Sequence, residues 1–239
     1  MTKLQVLIPM AGKGRRFAEA GYALPKPFID VDGRPMVSRV IENLPVCRRS
    51  VTLNALEEHR AMAEALPLLH RVERILWGAN PNGTAASIYD LRKEFDPEDP
   101  LLVANADQWL DWSPEHFASF VSRDGCDGAI VTFRASGAKW SYAKFGDDMV
   151  VTEVAEKVSI SQDGSCGIYY WRMAADCFWS IKKMMDGGRR VNGEFYLAPT
   201  YNEMIVDGAR VIAYPVPRMW GLGTPSDLKV TLEACPWRQ

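Results

Sequence analysis

The sequence predicts a three-layer α/β fold with a mixed, mostly parallel central sheet and extra antiparallel strands in the C-terminal half. Two observations lead to this fold class. Over the first 135 residues, short apolar runs alternate with segments of helical spacing, the pattern of a sheet with helices on both faces. The first run, residues 4–8, is apolar except for Gln5, as expected of a strand covered on both sides.

The other elements follow in order along the chain. Strands are predicted at residues 51–53, 72–77, 101–104 and 129–133, and helices at 36–44, 57–66, 84–95 and 114–122. Beyond residue 133 the alternation fades. Strands at 149–152, 168–171 and 211–216, with helices at 175–185 and 195–206, are expected to add antiparallel pairs and to cover the site that the first half forms.

The composition argues against several kinds of partner and site. The 239 residues carry a net charge of −2 with no block of like charge, so neither a nucleic acid nor a membrane is an expected partner. Five widely spaced cysteines, of which Cys47 is the first, argue against a disulfide framework and a zinc site and favour the cytoplasm. The histidines His59, His70 and His116 lack ligand spacing and are expected at the solvated surface. We expect one domain, and a homo-oligomer stays open.

The loop after the first strand carries the strongest chemical signal. It contains Gly12 and Gly14, three cations including Arg16, and the Pro-Lys-Pro segment around Lys26. Glycines let backbone N–H groups converge on an anion, and the cations would neutralise phosphate oxygens, so the loop predicts a triphosphate site. The dinucleotide-binding pattern fails because Phe17 stands where it needs glycine, and the P-loop spacing is also absent.

Two later segments fall where ligands collect, at the carboxyl ends of predicted strands. Asp107 follows the strand at 101–104, where one aspartate can anchor magnesium or simply cap a turn. Gly83 and Thr84 allow a flat base to approach the backbone, although Thr84 could instead be a helix N-cap. Asn80, with its neighbour Asn82, could read the base edge or form a turn.

These motifs together resemble a known family. The run from Leu7 to Phe17 followed by Pro-Lys26-Pro is similar to the signature of nucleotidyltransferases that activate sugar 1-phosphates. Gly83-Thr-Ala, Ala104-Asn-Ala-Asp107, Glu156-Lys157, Gly193-Glu194 and Gly223-Thr-Pro resemble the same family in the right order. Residues 104–109 and 221–228 look most similar to bacterial capsule-type enzymes, some of which use CTP.

The resemblance implies a Rossmann-like nucleotidyltransferase fold, with an NTP-binding half of about residues 1–135 and an acceptor-binding half of about 136–239. It implies catalytic roles for Arg16, Lys26 and Asp107, with Asp107 as the Mg²⁺ ligand. The nucleotide-binding residues it implies are Met10, Ala11, Gly12, Gly14, Asn80, Gly83 and Thr84. The acceptor-binding residues are Tyr142, Glu156, Lys157, Gly167 and Glu194.

The function expected is transfer of a nucleoside monophosphate from an NTP to a phosphorylated acceptor such as a sugar 1-phosphate, releasing pyrophosphate, for surface-polysaccharide precursors. CTP is favoured, with UTP or dTTP as alternatives. Relatives with a second acidic metal ligand carry it where Gly221 stands here, which leaves a second protein carboxylate open. The other classes are a nucleotide-sugar-dependent glycosyltransferase and a non-catalytic nucleotide-binding regulator. Without the resemblance, Glu156 and Lys157 would be a surface ion pair.

Overall fold

A computed structural model describes residues 3–46 and 50–238, so Cys47 lies outside the described residues. The strands are β1 Gln5–Pro9, β2 Val51–Ala55, β3 Val72–Trp77, β4 Leu101–Ala104, β5 Gln108–Asp111, β6 Gly128–Arg134, β7 Ser141–Phe145, β8 Val151–Glu156, β9 Asp163–Trp171, β10 Val211–Pro215 and β11 Arg218–Gly221. The α-helices are α1 Arg15–Glu19, α2 Met36–Glu42, α3 Arg60–Glu64, α4 Thr84–Asp90, α5 Pro114–Asp124, α6 Ala174–Asp186, α7 Tyr201–Val206 and α8 Pro225–Ala234.

Within the described residues, nine strands form one sheet whose main order is β10-β6-β9-β4-β1-β2-β3. β1 pairs in parallel with both β2 and β4, and β2 pairs in parallel with β3. β9 runs antiparallel between β4 and β6, and β7 pairs antiparallel with β8 and β9. The predicted mixed, mostly parallel sheet with antiparallel additions in the C-terminal half is confirmed.

Both faces of β1 are covered, as its apolar run predicts. Val6 and Ile8 belong to one hydrophobic cluster and Leu7 to the cluster on the other face, and all three are fully buried. Burial of each such side chain contributes about 1.5–3 kcal/mol. Gln5, the polar exception, exchanges two 2.9 Å hydrogen bonds with the backbone of Asp96, so its amide is satisfied at the start of the strand.

Three predicted helices are shorter than their sequence patterns. Residues 57–66 and 84–95 each divide into a short α-helix and a 3₁₀ turn, because the tighter turn satisfies backbone groups at a helix end. Residues 195–197 are not helical. The Phe195 N–H donates to the Asn82 carbonyl at 2.7 Å, and the Phe195 carbonyl accepts from the Ala85 N–H at 3.0 Å. Those backbone groups therefore bind a neighbouring loop instead of a helical turn.

The predictions from the sequence also missed several short elements, namely α1, β5, β7, β11 and α8. β5 and β11 pair only with each other, as a two-stranded ribbon outside the main sheet. α8 had an available signal, because the Thr224 hydroxyl caps the helix by accepting from the Asp227 N–H at 3.1 Å and Pro225 stands at the first helical position.

The expectation that His59 lies at the solvated surface is wrong. His59 is only 8% exposed, and its ring packs edge-on against Phe28 with centroids 5.7 Å apart. His70 and His116 are exposed, as predicted. The four described cysteines, Cys126, Cys166, Cys177 and Cys235, are free thiols. Across residues 3–46 and 50–238, no helix is both long enough and apolar enough to span a bilayer.

The backbone of Phe195, which lies far along the chain, holds the loop between β3 and α4 in place. Gly78 and Gly83 in this loop have nearly equal φ angles of 116° and 115°. A Cβ added at Gly83 would lie 2.7 Å from the Phe195 carbonyl oxygen, whereas one added at Gly78 would meet no described atom within 4 Å. Close backbone approach therefore requires glycine at position 83 and not at 78.

We predict that Gly83→Ala lowers the free energy of unfolding by about 1–3 kcal/mol more than Gly78→Ala does. Both variants place a side chain at a left-handed φ, but only the first also forces backbone apart. Urea unfolding of the two variants and the parent, compared at equal m-values, measures the difference. Equal losses would mean that the contact between Gly83 and Phe195 is loose enough to accept a methyl group.

Candidate active site

The site is built where the loops after two adjacent parallel strands meet. β1 leads into the glycine-rich loop and β4 leads into Asn105-Ala-Asp107, and these strands are hydrogen-bonded neighbours. Lys26, at the end of the first loop, forms an ion pair with Asp107. The two side chains are 23% and 25% exposed. The sequence therefore identified both loops, and the parallel pairing explains why their charged side chains touch.

The first loop is held in place by a buried anchor. Gly14 caps α1, and the Gly14 carbonyl accepts from the Phe17 N–H at 3.0 Å. The Phe17 side chain is 1% exposed and packs in a small cluster with Leu222 and Leu228. Arg16, beside this anchor, is exposed. The phenylalanine that breaks the dinucleotide-binding pattern thus fastens the loop and leaves the neighbouring arginine free to face a ligand.

A first cavity of about 390 Å³ lies above these loops. Its lining includes seven of the predicted catalytic and nucleotide-binding residues, Met10, Gly12, Gly14, Arg16, Lys26, Thr84 and Asp107. Ala11, Asn80 and Gly83 are not among the residues that line it. Thr84 is the first residue of α4 and Gly83 is its cap, so the N-cap alternative for Thr84 is wrong.

The Asn80 side chain is engaged in the turn between β3 and α4. Its side-chain oxygen accepts from the backbone N–H of Asn82 at 2.9 Å, and its amide nitrogen donates to the Asp90 carboxylate at 2.8 Å. Of the two roles open for Asn80, the structure supports turn formation.

A second cavity of about 320 Å³ adjoins the first. Arg16, Thr84, Asn105, Asp107 and Gly223 line both cavities. Gly223 lies close to the carboxylate, because a Cβ there would lie 2.7 Å from the Asp107 Oδ2 atom and would displace it. The wall between the cavities therefore carries one carboxylate and an arginine that forms no ion pair with any described residue.

Glu156 and Lys157 both line the second cavity, but they do not form the surface ion pair that their sequence context favours. Glu156 is 8% exposed and its carboxylate accepts from the Ser141 hydroxyl. Burial raises the pKa of the Glu156 carboxyl above its ordinary value, partly offset by that hydrogen bond and by the Lys157 charge. The Lys157 ammonium contacts the Tyr196 hydroxyl instead.

Of the other predicted acceptor residues, Gly167 lines the second cavity and two do not. Tyr142 is fully buried in the core and donates to the Gly137 carbonyl at 2.6 Å. Neighbouring residues of a strand face opposite ways, and in β7 it is Ser141 that lines the cavity. Glu194 is exposed outside the lining, and Tyr196, two residues further on, lies within it. Burial in the core contradicts the expected acceptor-binding role of Tyr142. Glu194 lies outside the lining, and its role stays a prediction.

Trp140, Trp109 and Trp112 differ in what they contact. Trp140 lines the second cavity. Trp109 packs edge-on against Trp237, and Trp112 packs against Phe117, so both serve packing.

The described side chains near Asp107 could offer a metal ion one carboxylate, and phosphate oxygens and waters would have to supply its other ligands. In the part of the chain that the structure describes, no three His, Cys, Asp or Glu side chains cluster around a metal position. Asp227 is the carboxylate nearest to Gly221, since a Cβ on Gly221 would lie 3.6 Å from the Asp227 Oδ2 atom. Asp227 is paired with Lys139 at 3.3 Å. Asp107 is the carboxylate in the lining of the first cavity, and Lys26 is its charge partner in this structure.

Comparison with known proteins gives the family. Residues 6–172, which run from β1 to just past the end of β9, match the family model described as "MobA-like NTP transferase domain". A mannose-1-phosphate guanyltransferase from Aspergillus oryzae is 26% identical over 140 residues, covering 54% of this chain and 37% of that protein. The chain thus matches little more than a third of that relative's length.

Solved structures agree in fold. A nucleoside-diphosphate-sugar pyrophosphorylase from Vibrio cholerae RC9 superposes with a TM-score of 0.79 at 22% identity, covering 96% of this chain and all of the other. A UDP-glucose pyrophosphorylase complexed with UDP-glucose gives 0.81 at 16% identity, with both chains fully covered. The expected Rossmann-like nucleotidyltransferase fold is confirmed, and because the family model spans more than half of the residues, including Lys26 and Asp107, the chain belongs to the MobA-like NTP transferase family.

Proposed function

We propose that this protein transfers a nucleoside monophosphate from an NTP to a phosphorylated acceptor, such as a sugar 1-phosphate, and releases pyrophosphate. The observation that carries the proposal is the pair of adjoining cavities that share Arg16 and Asp107. One cavity has the glycine-rich loop of a phosphate site, and the other has the separate cation Lys157. Two anionic substrates could therefore meet at one wall.

The chemistry asks little of the protein beyond alignment and charge neutralisation. An acceptor phosphate oxygen would attack the α-phosphorus of the NTP while the bond to the β-phosphate oxygen breaks, and pyrophosphate carries that electron pair away. An acceptor phosphate is largely ionised near pH 7, so no side chain has to remove a proton. Arg16 and Lys26 would hold the triphosphate, and Lys157 would hold the acceptor phosphate.

Magnesium is part of this proposal, and Asp107 is the residue that would hold it. The ion, when bound, would supply positive charge at the phosphate oxygens, and one carboxylate with phosphates and waters is a coordination it accepts. Lys26 would then leave Asp107 and turn to the triphosphate. Gly223 keeps the space beside the Asp107 carboxylate free of a side chain.

The identity of the NTP base and the identity of the acceptor are further parts of this proposal. CTP comes first because residues 104–109 and 221–228 are similar to capsule-type enzymes, and surface-polysaccharide precursors would be the product. UTP and dTTP follow. GTP joins the set because the curated relative is named a guanyltransferase. Among acceptors, sugar 1-phosphates come first, for which Glu156 and Ser141 supply oxygens that can hydrogen-bond hydroxyl groups.

The test is a matrix of these four NTPs and ATP against sugar 1-phosphates, polyol phosphates and unphosphorylated sugars, with Mg²⁺ and pyrophosphate release as the readout. We expect release only with a phosphorylated acceptor. Asp107→Asn should lower kcat/KM by about 10²–10³, since one charge contact in such a site contributes about 3–4 kcal/mol to the transition state. Nucleotide binding without pyrophosphate from any pair would favour a regulator, and transfer from a nucleotide sugar would favour a glycosyltransferase.

Lys157→Ala separates the two subsites. We predict an acceptor KM raised about 10- to 100-fold with the NTP KM changed less than twofold, because Lys157 lines only the second cavity. Lys144→Ala, an exposed lysine of β7 outside both linings, should leave both constants unchanged. Equal losses for both substrates would contradict the division into subsites.

A further inference from the structure

Lys157, the half-buried residue that follows β8, is held in an unusual way for a lysine in a loop. Its backbone has a left-handed φ of 58°, which non-glycine residues adopt at some cost. Its N–H donates to the Trp140 carbonyl at 2.9 Å. Its side chain is directed to Tyr196, where the ammonium lies 4.3 Å from the ring centroid and contacts the phenol oxygen.

Lys157 differs from the other lysines of the two cavities in its charge partner. Lys26 is paired with Asp107, and Lys139 is paired with Asp227. Lys157 forms no ion pair with a carboxylate in residues 3–46 or 50–238. The ammonium donates one hydrogen bond to Tyr196, which leaves its other two N–H donors for a ligand in the cavity.

Both sequence neighbours of Tyr196 are anchored. The preceding residue, Phe195, is 3% exposed, and both of its backbone polar groups are bonded to the loop that precedes and begins α4. The Arg190 guanidinium covers the Phe195 ring at 3.9 Å from the centroid. The following residue, Leu197, is 5% exposed. A side chain between two anchored residues is a fixed support for a flexible one.

We propose that Tyr196 is a positioning residue that holds the Lys157 ammonium in the second cavity, with its hydroxyl as hydrogen-bond acceptor. A lysine side chain has four rotatable bonds and loses much entropy when it is fixed on a ligand. Tyr196 removes part of that loss before the acceptor arrives. The inference rests on the proposed function, in which Lys157 binds the acceptor phosphate.

The experiment is a double-mutant cycle in the full chain, read as acceptor KM, NTP KM and kcat. Tyr196→Phe should raise the acceptor KM about 3- to 10-fold and Tyr196→Leu about 10- to 30-fold, with the NTP KM and kcat within twofold of the parent. In the Lys157→Ala background, Tyr196→Phe should add less than twofold. Tyr89→Phe is the matched control, because Tyr89 carries the Arg92 guanidinium 4.3 Å from its ring centroid outside both cavities.

An equal Tyr196→Phe effect in both backgrounds would overturn the proposal, because Tyr196 would then act on the acceptor without Lys157. A second readout separates this result from failure of the proposed function. In protein labelled with ¹³C-lysine, the Lys157 ε-methylene resonance should move on Tyr196→Leu, which removes the phenol, and stay in place on Tyr89→Phe. A resonance that Tyr196→Leu leaves unmoved overturns the contact. A resonance that moves while Lys157→Ala leaves the acceptor KM unchanged overturns the acceptor role of Lys157, and with it the proposed second subsite.

Discussion

The ion pair between Lys26 and Asp107 is the contact on which the arrangement of the site depends. It forms because β1 and β4 are parallel neighbours, so the loops that follow them leave the sheet at the same edge. Phe17 fixes the first loop to the cluster that includes α8, and the missing side chain at Gly223 lets the C-terminal segment approach Asp107 closely.

The two cavities differ in how their cations are neutralised, and this difference gives them different roles. In the first, Lys26 already has a carboxylate partner, so binding of a polyanion there involves an exchange of partners. In the second, the Lys157 ammonium contacts the Tyr196 phenol and acts on the buried Glu156 carboxylate through its charge. Lys157 forms no ion pair with a described residue, so an incoming anion would be its first ion-pair partner. Arg16 faces both cavities. An ordered arrangement of two phosphate groups is what a phosphoryl-transfer site requires.

The strands β1 and β4 were predictable because they bury apolar residues on both faces and their sequences are therefore nearly continuous apolar runs. The glycine-rich loop and Asp107 were predictable for the same reason, since each follows such a strand. Tyr142 was misplaced and Tyr196 was missed because the choice between nearby residues depends on which face of β7 is covered and on the Phe195 backbone contacts. Those contacts join residues more than 100 positions apart, and Tyr196 gave no local pattern of its own.

Magnesium binding to the nucleotide-free protein tests most directly whether Lys26 occupies the cation position on Asp107. Calorimetric titration of the parent should show weak binding, and Lys26→Met should tighten it about 3- to 10-fold, on the order of 1 kcal/mol. The gain should vanish when Asp107→Asn is added. Lys139→Met, which frees Asp227 beside the second cavity in the same way, should have no effect. Tight binding by the parent, or a gain with Lys139→Met and none with Lys26→Met, would contradict a metal site centred on Asp107.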